Sequence, residues 1–199
     1  MKNFRTNIII LTILLFFNLN SKTLANISFE FIDNITDKAS NILSSQDTRD
    51  VKIQELIKIG ENSVDIDGIG FYTLGKHRKN LNDEQKDQFI KIFREYFLKS
   101  FSTRLIEYKE AKIVVISEDI KNEKYTIVKS KLLATSDRPE IAIDWRVYTK
   151  DPSKPLIRDL IIEGLSLART QREEFNSIIM NNDGDINALF TSLREFNKR

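Results

Sequence analysis

The sequence predicts a single α+β domain: helices first, then an antiparallel four-stranded sheet, then helices again. Three observations lead there. From Asn26 to Tyr108 the apolar residues recur at helical spacing. From Ala111 to Glu163 the period falls to two, and Val, Ile, Tyr and Trp predominate. From Ser166 onward the helical period returns. No internal repeat, low-complexity tract or long linker divides the 199 residues, which are enough for one domain with a real core.

Residues 1–25 read as a secretory signal peptide, and residues 26–199 as the domain. Lys2 and Arg5 make a positive start, Ile8 to Phe17 is a short apolar run, and Thr23-Leu24-Ala25 puts small residues where a signal peptidase reads them. The run is shorter than the roughly 20 apolar residues a membrane span needs, so cleavage is expected. Lys2, Arg5 and Lys22 leave with the signal and no acid does; 28 basic and 29 acidic side chains remain, and the formal charge passes from +2 to −1. No dense Lys/Arg patch with interleaved aromatics survives, so nucleic acid is not an expected partner. With no cysteine there is no disulfide, thiolate metal site or lipidated N-terminal Cys. An exported, cysteine-free bacterial chain suits the periplasm.

The first helix runs from Asn26 to Ser44, with Ser28 as its candidate cap and Phe29, Ile32, Ile35 and Leu43 inward. Asp47 or Thr48 caps a second helix, expected to stop near Gly60. Val64 to Leu74 is a short third helix, ended by Gly75, and Lys76 to Leu81 a polar loop. Asn82 or Asp83 then caps a long helix reaching Tyr108. On it Phe89, Phe93, Phe97 and Phe101 recur at four-residue steps, a stripe that winds by roughly 40° per step because four residues overshoot a turn. Ala111–Glu118, Lys124–Ala134, Ile141–Thr149 and Leu156–Glu163 are the strands, and short connections make them a meander. On the third, Ile141, Ile143, Trp145 and Val147 share one face. On the fourth, strict alternation puts Ile157 with Ile161, and Leu160 with Ile162 on the opposite face. Two helices close the chain, one from Ser166 and one from Asp185 to Phe196.

Catalytic signals are thin. His77, the only histidine, lies among cations in a polar loop. One His and no Cys make a zinc site unexpected. Asp65 and Asp67 could be paired acids, but residues two apart do not share a helical face, so capping or solvent exposure is expected of them. Gly68-Ile69-Gly70 lacks the strand and third glycine of a dinucleotide fingerprint. Asp183-Gly184-Asp185 lacks the other ligands of a calcium loop. Glu163 ends an apolar strand, where it is either a buried acid or a strand-end residue bonded to backbone.

Two stretches carry a resemblance. Val64-Asp65-Ile66-Asp67 through Leu74-Gly75, then Asn82-Asp83-Glu84-Gln85 with Phe89 and Phe93-Arg94, resembles the D-F-D…L-G…T-P-E-Q…F…F segment of the MlaC-type family, the toluene-tolerance auxiliary proteins. Asp159 to Leu167, with Arg172 and Phe175, is similar to that family's D-x-x-x-E-G-V-S-L…R-x-x-F segment. The family's Trp-Lys-Val-Tyr-Asp is replaced by Pro155, Leu156, Ile157, Arg158 and Asp159. The resemblance implies a curved antiparallel sheet wrapped by N-terminal and C-terminal helices around an apolar pocket. It also implies a monomeric, non-catalytic periplasmic carrier without metal or cofactor, its cargo a phospholipid. Its partners would be an outer-membrane lipoprotein complex and the lipid-binding ring of an inner-membrane ABC transporter. The pocket walls expected on this basis are Phe71, Phe93, Phe97, Phe101 and Leu105 from the helices, with Ile143, Trp145, Val147, Ile161 and Leu165 from the sheet side. A dry core has the same composition. An enzyme of a cone-shaped α+β class using Glu163 or an Asp as base, and an envelope adaptor with a packed interior, are the alternatives.

Overall fold

The computed structural model describes residues 26–108 and 111–199; the expected signal peptide lies outside them. The helices are α1 (Ile27–Ser44), α2 (Arg49–Ser63), α3 (Ile66–Thr73), a 3-10 turn (Gly75–Asn80) and α4 (Asp83–Leu105). The strands β1 (Ile113–Asn122), β2 (Tyr125–Leu132), β3 (Ile141–Tyr148), β4 (Leu156–Ile162) and β5 (Leu165–Ser166) follow, and α5 (Leu167–Met180) and α6 (Ile186–Lys198) end the chain. The sheet is an antiparallel meander in the order β1-β2-β3-β4-β5, so the predicted class holds and a fifth, two-residue strand is added.

Local chemistry sets these boundaries. The long helix starts with a complete capping box: Asn82 Oδ1 accepts from the Gln85 N–H, and Gln85 Oε1 accepts from the Asn82 N–H. Thr48 caps α2 through the Val51 N–H. Ser28 is not the cap of α1; it is buried in the first turn, and Asn26 holds the cap position. Val64 does not begin α3 but bridges in parallel to Ile157, and Asp65 caps the helix instead. Part of the predicted Lys76–Leu81 loop is helical, as the 3-10 turn.

Gly60 does not stop α2, which continues to Ser63. The glycine is there for closeness: a Cβ would lie 3.0 Å from Leu98 Cδ2 on α4. Gly70 on α3 is tighter, since a Cβ would lie 2.8 Å from Phe93 Cδ1 and 3.2 Å from Ile90 Cδ1. Alanine in a helix interior gains about 1 kcal/mol over glycine, whereas overpacking a rigid core ring costs roughly 1–3 kcal/mol. Gly70→Ala is therefore expected to destabilise by up to about 2 kcal/mol, and Gly60→Ala, which meets a more yielding leucine methyl, to be neutral or slightly stabilising. Urea unfolding of the two variants checks this; equal stabilisation by both would contradict it.

β4 breaks the alternation expected of it. Arg146 pairs with Asp159 and Val147 with Ile157, so Arg158 is an extra residue, a bulge. The bulge puts Ile157, Leu160 and Ile162 on one face with Val147, Trp145 and Ile143. Ile161 goes to the other face with Asp144. The predicted pairing of Ile157 with Ile161 is thereby overturned.

Candidate functional site

One face of the sheet is largely apolar, and from β2 its burial falls toward β5. In one cross-strand row Val128 and Trp145 are buried and Leu160 is only partly so. In the next, Ser130 and Ile143 are buried, Ile162 is partly buried, and Leu165 is 58% exposed. The buried side of this face is rigid: the Trp145 indole N–H donates to Ser130 Oγ at 2.8 Å, and that hydroxyl donates to the Ile143 carbonyl at 3.0 Å.

The phenylalanine stripe on α4 shows the same gradient. Phe89 and Phe93 are 0% and 1% exposed and sit among aromatic rings, Phe190 beside Phe89 and Phe175 edge-on to Phe93. Phe97, Phe101 and Leu105 are only partly buried, and the Phe97 and Phe101 rings stack at 6.0 Å, 6° from parallel. The main neighbours of α4 are α2, α3 and α6. The sheet is met by α1 on β1 and β2, and by α3 and α5 on β4. Helix α4 is thus joined to the sheet chiefly through other helices.

Of the expected wall residues, Phe93, Ile143, Trp145 and Val147 lie in the buried core. Phe97 packs against that core partly buried, Phe101 and Leu105 are partly buried, and Leu165 is exposed. Ile161 lies on the opposite sheet face because of the bulge, and Phe71 packs under the Arg78 guanidinium, 4.3 Å from its ring. Leu160 and Ile162 belong to the apolar face although alternation assigned only one such pair correctly; a β-bulge leaves no mark in the hydrophobic pattern.

The opposite face holds a cleft of about 730 Å³, bounded by Tyr72, Tyr125, Ile127, Lys129, Arg146 and Ile161 among others. Arg158 closes one side of it. Its guanidinium donates to Asp65 Oδ2 at 2.5 Å and to the Tyr125 hydroxyl at 2.7 Å, and lies 3.7 Å above the Tyr148 ring. Burial works against the charge, yet the bonds to Tyr125 and Asp65 outweigh it and hold the Arg158 pKa above its ordinary value. Arg94 similarly ties α4 to Asp67 on α3 at 2.5 Å. Asp65 and Asp67 therefore face different partners. Burial beside Glu174 raises the pKa of Tyr96, whose hydroxyl donates to Gln171.

Glu163 is exposed and spent on the hairpin between β4 and β5. Its N–H donates to the Ala142 carbonyl, and its carboxylate accepts the Ala142 N–H. Glu163 and Gly164 both have positive φ, 49° and 80°, as the two central residues of a type I′ turn require. His77 Nε2 lies 3.0 Å from Asn176 Oδ1. Among the described residues no cluster of three or more His, Cys, Asp or Glu could hold a metal ion.

A family profile described as MlaC protein matches residues 30–195. The chain belongs to the MlaC family. A search of curated proteins returned no match. Among solved structures it is similar to the phospholipid-binding protein from Ralstonia solanacearum in complex with a phospholipid, at 18% identity, over 85% of this chain and 96% of that one, with a TM-score of 0.69. At that identity the likeness is one of fold.

The MlaC-type motif at the end of the sheet has a structural explanation here. Glu163-Gly164 makes the tight turn. Ser166 caps α5 through the Arg169 N–H and donates its hydroxyl to Asp159 at 2.6 Å. Asp159, 4% exposed, also accepts the Ala168 N–H at 3.0 Å. The motif thereby fixes the β4–β5 hairpin and the start of α5, and it leaves the residue between Gly164 and Ser166, Leu165, presented on the apolar face. Where the MlaC-type pattern has Tyr before this Asp, the chain has the bulged Arg158.

Proposed function

We propose that this MlaC-family protein is a periplasmic phospholipid carrier, with acyl chains held between the accessible end of the phenylalanine stripe and the β4–β5 end of the apolar sheet face. Phe97, Phe101 and Leu105 form one wall, and Leu160, Ile162 and Leu165 the other; Phe93, Ile143, Trp145 and Val147 back them. The observation that carries this reading is the matched fall in burial along both apolar surfaces. Large aliphatic and aromatic side chains grouped at the accessible ends of two apolar surfaces are what a binding groove requires. Family membership supports it, as does the phospholipid bound to a protein of the same fold.

The energetics explain why such a carrier encloses its cargo. Each buried methylene is worth about 0.8 kcal/mol, so two chains of about fifteen methylenes cost roughly 24 kcal/mol to expose to water. A lipid does not cross an aqueous compartment unaided at that cost. The head group needs no charged partner within the pocket and stays at the rim. The carrier exchanges lipid with an outer-membrane lipoprotein complex and with the lipid-binding ring of an inner-membrane ABC transporter. Lipid extraction of the purified protein tests the reading. Glycerophospholipid near one per chain supports it, and lipid-free protein that takes up none from vesicles contradicts it.

A further inference from the structure

The backbone nitrogen of Asn26 lies 2.8 Å from Glu118 Oε1, a carboxylate on β1, 92 residues away. The second oxygen of the same carboxylate accepts the Phe29 N–H at 2.9 Å. Asn26 is also where the sequence alone ends the signal peptide, since Thr23 and Ala25 are the small residues a signal peptidase reads. Two independent lines, a cleavage pattern and a tertiary contact, thus meet at one atom. A third observation agrees with them. Asn26 has φ 95°, in the left-handed region that few side-chain residues other than Asn adopt readily. That torsion is defined by the preceding carbonyl carbon, so hydrolysis of the Ala25–Asn26 bond abolishes it.

We infer that Glu118 is the receptor for the α-ammonium created by signal cleavage, and that processing locks α1 onto β1. In the uncut chain Glu118 accepts an ordinary peptide N–H, and Asn26 is held in the left-handed region. In the cut chain the same nitrogen carries a positive charge and three protons, and the φ restriction is gone. The bond to the Glu118 carboxylate is charge-assisted in both chains; cleavage adds a positive charge to the donor and turns the contact into an ion pair. A free ammonium at a helix N-terminus would otherwise oppose the positive end of the helix dipole; the Glu118 carboxylate offsets both. Helix α1 lies against β1, β2 and α2, so its first turn is joined to the edge of the sheet only in full strength after export. The inference rests on the signal-peptide reading and is independent of the lipid-carrier reading.

Three measurements test it. Intact mass of the exported protein is expected to show a chain beginning at Asn26; a different first residue overturns the proposal. Glu118→Gln is then compared in a chain beginning at Asn26 and in one carrying a Gly-Ser extension before it. The thermal midpoint is expected to fall several degrees further in the first background, and an equal fall in both overturns the lock. Finally, the α-amine of the chain beginning at Asn26 is expected to react with an acylating reagent near neutral pH about tenfold more slowly than that of the Glu118→Gln variant, as a group held in a charge-assisted bond should. Equal rates overturn the contact even if the variant melts low.

Discussion

Phe97→Asp is expected to strip the protein of lipid, lowering phospholipid affinity by at least about a hundredfold. Phe97 stacks on Phe101 at the accessible end of the α4 stripe. A carboxylate there would be set against acyl chains, and burying an unpaired charge costs several kcal/mol, with each 1.4 kcal/mol worth about a factor of ten. Lys99→Asp is the control. It introduces the same carboxylate on the same helix, with a larger charge change because a lysine is removed, and loses a bond to the Asn197 carbonyl, but it does not touch the stripe. Because Phe97 also packs against the core, its replacement affects folding as well. Leu165→Asp separates the two effects: Leu165 is 58% exposed, so an acid there costs the fold little while still facing the proposed lipid. Retention of lipid by both Phe97→Asp and Leu165→Asp, at the level of Lys99→Asp, would contradict the site.

The largest effect on stability is expected at Asp159. Its buried carboxylate holds the Ser166 hydroxyl and the Ala168 N–H, and so joins β4, β5 and α5. Asp159→Ala leaves a buried backbone donor without a partner and removes two hydrogen bonds to a charged group, a loss of about 3 kcal/mol. For a chain of this size that lowers the melting temperature by roughly 6–12 °C. Asp159→Asn keeps one acceptor and is expected to lose about half as much. Thermal unfolding of both variants checks the order; an alanine variant melting within a degree or two of the parent would show that the hairpin and helix do not depend on this residue.

Much of this was legible in the sequence, for identifiable reasons. The capping box at Asn82 and the four-residue phenylalanine steps define α4 because both act within one or two turns of backbone. The strands of the meander are legible because alternation is a local property, and their order follows from short connections. The partly accessible positions of Phe97, Phe101 and Leu105, and the exposure of Leu165, come from the structure; their role as pocket walls is the proposal made from apolar faces and the MlaC-type resemblance together. What escaped was set by contacts distant in sequence. Gly60 looks like a helix stop until Leu98 is seen against it. Ile161 looks like a partner of Ile157 until Arg158, drawn to Asp65 and Tyr125, is seen to bulge. Glu163 is the exception, because the strand-end residue bonded to backbone expected from the sequence is what its turn with Gly164 and its bonds to Ala142 make. Asp65 caps α3, as the sequence allows, but its pairing with Arg158 and that of Asp67 with Arg94 are seen only in the fold.

Native mass spectrometry of the protein purified from a bacterial host, without detergent, tests the central claim most directly. The account predicts a dominant species heavier than the mature chain by one phospholipid, which collisional activation releases and which organic extraction identifies as glycerophospholipid. A spectrum showing only the bare chain, unchanged after incubation with phospholipid vesicles, would contradict it.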